Sequence, residues 1–84
     1  MAAPATESFN WRQYISSTPD VLRGKPRIVG TRIPVALILG YLASGADAEG
    51  IIAEIPDLRP EHIRACLDYA RELARAVAPL GTRL

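Results

Sequence analysis

Hydrophobic positions change period twice along this chain. Residues 1–8, MAAPATES, are small and polar around a Pro and predict a frayed tail. Phe9, Trp11 and Tyr14 then crowd three of the five aromatic residues into six positions. Tyr14–Ser16 reads as a short strand, and Pro19 starts a turn in "STPD", where Thr18 can cap. Arg27–Val29 has the β-branched character of a second brief strand. Gly24 and Gly30 on either side can take positive φ, and Pro26 biases Lys25 toward extended backbone.

From Pro34, which suits a first helical position, the period becomes helical. Val35, Leu37, Ile38, Leu39, Tyr41 and Leu42 are apolar on nearly all sides, which predicts a central helix stopped by Gly45. Asp47 can cap a second helix with Ile51, Ile52 and Ile55 inward, ended by Pro56. Pro60 opens a third, where Ile63, Cys66, Leu67, Ala70, Leu73, Ala74 and Val77 recur at three- and four-residue spacing. Its other face carries Glu61, Arg64, Asp68, Arg71, Glu72 and Arg75. Pro79 and Gly81 finish the pattern. The expected fold is mostly α: a short N-terminal β-hairpin or strand pair, then a three-helix bundle. The last two helices lie close enough for a helix-turn-helix. The domain is expected over 9–78, with 79–84 as a tail.

Composition adds one constraint. Of 84 residues 49% are apolar, but thirteen of those are Ala, so there is material for one small core. Such a core supplies only a few kcal/mol net, which makes help from a partner or a second copy expected. Phe9, Trp11, Tyr14 and Ile28 are therefore read as homodimer contacts, with capping of the chain's own core as the alternative. A single Cys, no secretory pattern at the start and no long apolar run predict a cytoplasmic protein away from the membrane.

Charge changes the picture locally. The net charge is +1, yet no acid occurs between Val21 and Ala46, where Arg23, Lys25, Arg27 and Arg32 lie. This loop is a better candidate for phosphate contacts than the third helix, with a turn whose cations are merely solvated as the equal alternative. On the third helix, Glu61 with Arg64, Arg64 with Asp68, and Glu72 with Arg75 stand at pairing distances and read as a self-paired face.

Catalytic chemistry finds little support. His62 reads as a lone, exposed first-turn histidine with no nucleophile at a recognisable spacing. Cys66 lies on the apolar face and reads as a small core residue. "GKPRIVG" lacks the second Gly and the Lys–Ser/Thr pair of a phosphate loop. No catalytic residue, metal site or cofactor is expected, and the protein is not expected to be an enzyme.

The segment "GKPRIVGTRIPV", followed by Gly45, Asp47, Pro56 and Leu58 in order, resembles the domain-of-unknown-function family 433. These are small prokaryotic proteins classed as VapB-like antitoxins, and the likeness runs from about Trp11 to Ala74. The resemblance implies a homeodomain-like or winged helix-turn-helix fold in a type II toxin–antitoxin context. The implied partner is a PIN-like ribonuclease toxin, which the antitoxin binds and silences, and the implied second partner is promoter DNA, bound as a dimer. Arg23, Lys25, Arg27 and Arg32 would contact phosphates, and Arg59 and Arg64 bases or backbone. A PIN-type site holds Mg²⁺ with clustered carboxylates, which an arginine can engage in place of the metal. Arg71, Arg75 and Arg83 are the candidates, anchored by Leu73, Val77, Leu80 and Leu84. The runner-up function is a protein-interaction module without DNA binding. One departure stands at Arg59, where the family usually has Ser or Thr. Arginine cannot accept the N–H bonds at a helix start, so the third helix is expected to lack that cap.

Overall fold

The computed structural model describes residues 9–76. The tails read at 1–8 and 79–84 lie outside the described residues. The chain opens with a 3-10 turn, Trp11–Gln13, capped by Asn10, whose side chain accepts from the Arg12 N–H. Strand β1, Ile15–Ser16, pairs antiparallel with β2, Arg27–Ile28, with Ile15 opposite Ile28 and Ser16 opposite Arg27. Three helices follow: α1, Val35–Ala43; α2, Ala48–Glu54; and α3, Pro60–Ala76. The expected strand pair followed by three helices is the architecture observed.

So short a strand pair is marginal alone and needs a helix behind it. Ile15 and Ile28 supply the apolar side, and both join a core with Val35, Ile38, Ile51, Leu58, Ile63, Ala65 and Cys66. Ile28, Ile38 and Ile51 are wholly inaccessible to solvent. Ile28 is thus reassigned from dimer contact to core, because a second chain has no access to it.

The helix punctuation is local and follows the residue types. Gly45 takes φ +102, its N–H bonds to Leu42 O, and the Ala46 N–H bonds to Tyr41 O. This pair of bonds closes the last turn of α1 and satisfies carbonyls the helix leaves open. Asp47 Oδ1 accepts from the Gly50 N–H at 2.9 Å and caps α2. Pro60 is the first residue of α3, as expected. Pro34 instead precedes α1 with extended backbone, since it bridges to Arg27 while Val35 N–H bonds back to Pro26 O.

Between the strands the chain makes a turn its residue types do not announce. Leu22 and Arg23 take φ of 50 and 55, followed by Gly24 at 82. Left-handed backbone costs an L-residue roughly 1–2 kcal/mol. Arg23 is exposed and contributes little packing. Arg23→Gly is therefore expected to raise stability by about 0.5–1 kcal/mol after allowing for the looser unfolded chain, read as a higher urea midpoint.

Helix α3 buries a different face from the one its periodicity suggests. Ile63 and Cys66 are inside, but so is Ala65, while Leu67 and Leu73 are 49% and 52% exposed and Ala74 is exposed. Two causes combine. The N-terminal turn packs Trp11 against Tyr69, covering the Ala65 side. At 1.5 Å per residue α3 is about 25 Å long, roughly twice α1 or α2, so its distal half overhangs the core. Val77 lies outside the described residues.

Candidate functional site

The start of α3 shows how the missing Ser or Thr cap is replaced. His62 stands at the third helical position, and its Nδ1 accepts from the Arg59 N–H at 2.9 Å. The His62 N–H in turn bonds to Arg59 O at 2.9 Å. The first bond is one half of a capping box, with imidazole in place of Glu or Gln, while the N–H that a Ser or Thr side chain would accept goes to the Arg59 carbonyl. Tyr14 meets the same ring edge-on at 5.9 Å. His62 is therefore half-buried and structural, where the sequence suggested a solvated histidine. Its Nδ1 must be unprotonated to accept. His62→Ala is expected to lower stability by about 1 kcal/mol, and His62→Gln to recover most of it, in thermal unfolding.

The basic loop divides into free and committed cations. Arg23, Lys25 and Arg32 are exposed. Arg27 is half-buried, donating from Nε to Thr31 O at 3.0 Å and from a terminal nitrogen to Thr18 Oγ1 at 3.2 Å. Thr31 Oγ1 also donates to Ile28 O and accepts from the Ile33 N–H, so Arg27 and Thr31 together hold the Gly30 turn. Arg27 is thereby moved from phosphate contact to loop support. A cleft of about 630 Å³ runs beside it, with Arg32 and Thr31 on one side and Asp57 on the other.

On α3, Arg59 is exposed, but Arg64 stacks on Phe9 with 4.0 Å between guanidinium carbon and ring centre. The self-paired face does not form. Among the described residues the one ion pair within 4 Å is Arg12–Glu72, at 3.2 Å. Glu72 thus pairs with the N-terminal segment and makes no ion pair with Arg75. That segment is an aromatic strap over α3. Phe9 stacks on Tyr14 at 5.5 Å, Trp11 meets Tyr69 edge-on at 5.1 Å, and Arg12 lies 4.5 Å over the Trp11 ring. Phe9, Trp11 and Tyr14 thus pack on their own chain, the alternative to dimer contact. Arg12 and Asp68 were not singled out from the sequence as site residues, because nothing local brings the strap to α3.

Of the residues read as toxin contacts, Arg71, Leu73 and Arg75 are exposed along the overhang of α3. Val77, Leu80, Arg83 and Leu84 lie outside the described residues. Among the described residues no cluster of three His, Cys, Asp or Glu could hold a metal, and no helix is long and apolar enough to cross a membrane.

Cys66 is fully inaccessible, and burial pushes its thiol from 9.0 up to about 12. A raised thiol pKa keeps the folded state protonated while the unfolded chain ionises. The contribution is whole below about pH 9 and is lost as pH rises toward 12. Between pH 8 and 10.5 the urea midpoint of the native chain is expected to fall more steeply than that of Cys66→Ala.

Residues 15–70, two thirds of the chain, match the family model described as protein of unknown function (DUF433). The chain belongs to the DUF433 family. A crystal structure of a DUF433 member from Anabaena variabilis ATCC 29413 shares the fold, with a TM-score of 0.67 and 32% identity. The likeness covers 84% of this chain and 77% of that one. The uncharacterised protein y4eO of Sinorhizobium fredii (strain NBRC 101917 / NGR234) is 37% identical over 59 residues, 70% of this chain. This DUF433 chain matches only 27% of that relative's length. The DUF433 match contains both strands, all of α1 and α2, and α3 as far as Ala70, so it stops where the overhang begins.

Proposed function

We propose that this chain acts by binding, as an antitoxin that neutralises a PIN-like ribonuclease. The observation that carries the reading is the overhang of α3. Leu73 stands 52% exposed there, beyond the reach of the core, with Arg71 and Arg75 beside it. An apolar anchor between exposed cations suits a protein groove that leads to a carboxylate cluster. Guanidinium engages carboxylate through two parallel N–H bonds, which would occupy oxygens that otherwise bind Mg²⁺. Val77, Leu80, Arg83 and Leu84 would extend the contact. Co-expression with a PIN-domain ribonuclease encoded beside this chain is the test. A stoichiometric complex with suppressed RNA cleavage is expected, and undiminished cleavage at excess chain would remove the reading.

A second activity, promoter binding, is supported by a different observation. Arg23, Lys25, Arg32 and Arg59 are exposed and make no ion pair among the described residues. Four phosphate contacts predict a log–log salt slope on the order of −3 to −4. Fluorescence anisotropy with the upstream DNA at several salt concentrations measures it. Absence of binding at low salt would leave the interaction module alone.

A further inference from the structure

The strap and α3 enclose a polar cleft of about 410 Å³ on the side of the helix away from the core. Residues Phe9 to Arg12 line one wall, and Arg64, Asp68, Arg71 and Glu72 the other. The Arg64 guanidinium carbon lies 4.0 Å over the centre of the Phe9 ring, and that of Arg12 lies 4.5 Å over Trp11. Stacking occupies the face of a guanidinium and leaves its in-plane N–H groups for other partners. The indole Nε1 of Trp11 has no acceptor among the described residues but is shielded from solvent, so it is not a donor the cleft presents. Arg71 makes no ion pair among the described residues.

Acceptors are fewer. Glu72 is committed to Arg12 at 3.2 Å, which leaves Asp68 facing Arg64 and Arg71 with no pair inside 4 Å. Three arginines against two carboxylates leave the lining at +1, the complement of one monoanion. A phosphate dianion would meet both carboxylates and exceed that charge. A planar carboxylate matches both the charge and the fork of an arginine. We propose that this cleft binds a carboxylate group, supplied by an acidic peptide segment or by a small organic acid. The oxygens would be held by Arg64 and Arg71, and Asp68 competes for the same donors. The cleft shares Arg71 with the proposed toxin contact, but its test reads small carboxylates on the isolated chain and so does not depend on the antitoxin reading.

Trp11 is the sole tryptophan, so its emission reports on this cleft. The full chain is titrated at constant ionic strength with glutarate, with blocked tetraglutamate and with inorganic phosphate. A saturable change in indole emission with a carboxylate is expected, with phosphate at least tenfold weaker. Arg71→Gln should weaken carboxylate binding at least tenfold, and Asp68→Asn should strengthen it about threefold. Both variants sit on the outer side of α3 and are checked for an unchanged unfolding midpoint. Saturation by tetraglutamate alone assigns the group to a peptide, and equal saturation by glutarate assigns it to a small acid. No saturable response in either the native chain or Asp68→Asn overturns the proposal, as does phosphate binding as tightly as the carboxylates.

Discussion

Ile38→Ala is expected to lower the free energy of unfolding by about 3 kcal/mol, within the range for emptying a fully buried aliphatic site. Ile38 has no solvent exposure and lies in the single cluster that joins the strand pair to all three helices. A core this small supplies roughly 3–5 kcal/mol in total. The loss therefore removes most of the stability and leaves a large unfolded fraction without denaturant. Leu37, its neighbour on α1, is 45% exposed. Leu37→Ala should cost under about 1 kcal/mol, since most of the removed surface already touches water. Urea unfolding followed by circular dichroism compares the two. Equal losses would mean that α1 is covered on both faces in solution.

Leu73→Asp is expected to weaken the proposed neutralisation of a PIN-like ribonuclease by about 30- to 150-fold, corresponding to roughly 2–3 kcal/mol for a desolvated apolar anchor. Stability should change by less than about 0.5 kcal/mol, because the side chain is already half in water. Inhibition titrations of the co-expressed ribonuclease measure the first quantity and thermal unfolding the second. Unchanged inhibition would move the toxin contact off α3. A large loss of stability would instead show that Leu73 belongs to a second copy's interface.

Where the sequence was legible, the signal was local. Gly45 closing α1, Asp47 capping α2 and Pro60 opening α3 act through bonds spanning at most five residues, so residue type and spacing suffice. His62 carried such a signal too. Its place three residues after Arg59 is the capping-box spacing, hidden because the acceptor is an imidazole and not a carboxylate or amide. The left-handed pair Leu22–Arg23 carried no signal at all. Neither residue favours positive φ, and only closure between β1 and β2 holds them there.

The candidate sites were less legible because exposure is not a local property. Arg64 and Glu72 were placed on the outer face of α3, yet one is stacked on Phe9 and the other paired with Arg12. Arg27 stood among the free cations of its loop until Thr18 and the Thr31 carbonyl drew its guanidinium in. Leu67 and Leu73 share a helical period with the core without sharing its cover.

By itself, then, the sequence determined the order of the strands and helices, their boundaries within a residue or two, and a single small core. Each of these rests on periodicity and capping, which operate within a few residues along the chain. Tertiary structure alone decided which charged and apolar side chains remain available. The Arg12–Glu72 pair shows why, for it joins positions 60 apart in the chain. Only the folded path of the aromatic strap brings Arg12 to α3, creating the polar cleft there while the overhang beyond stays bare.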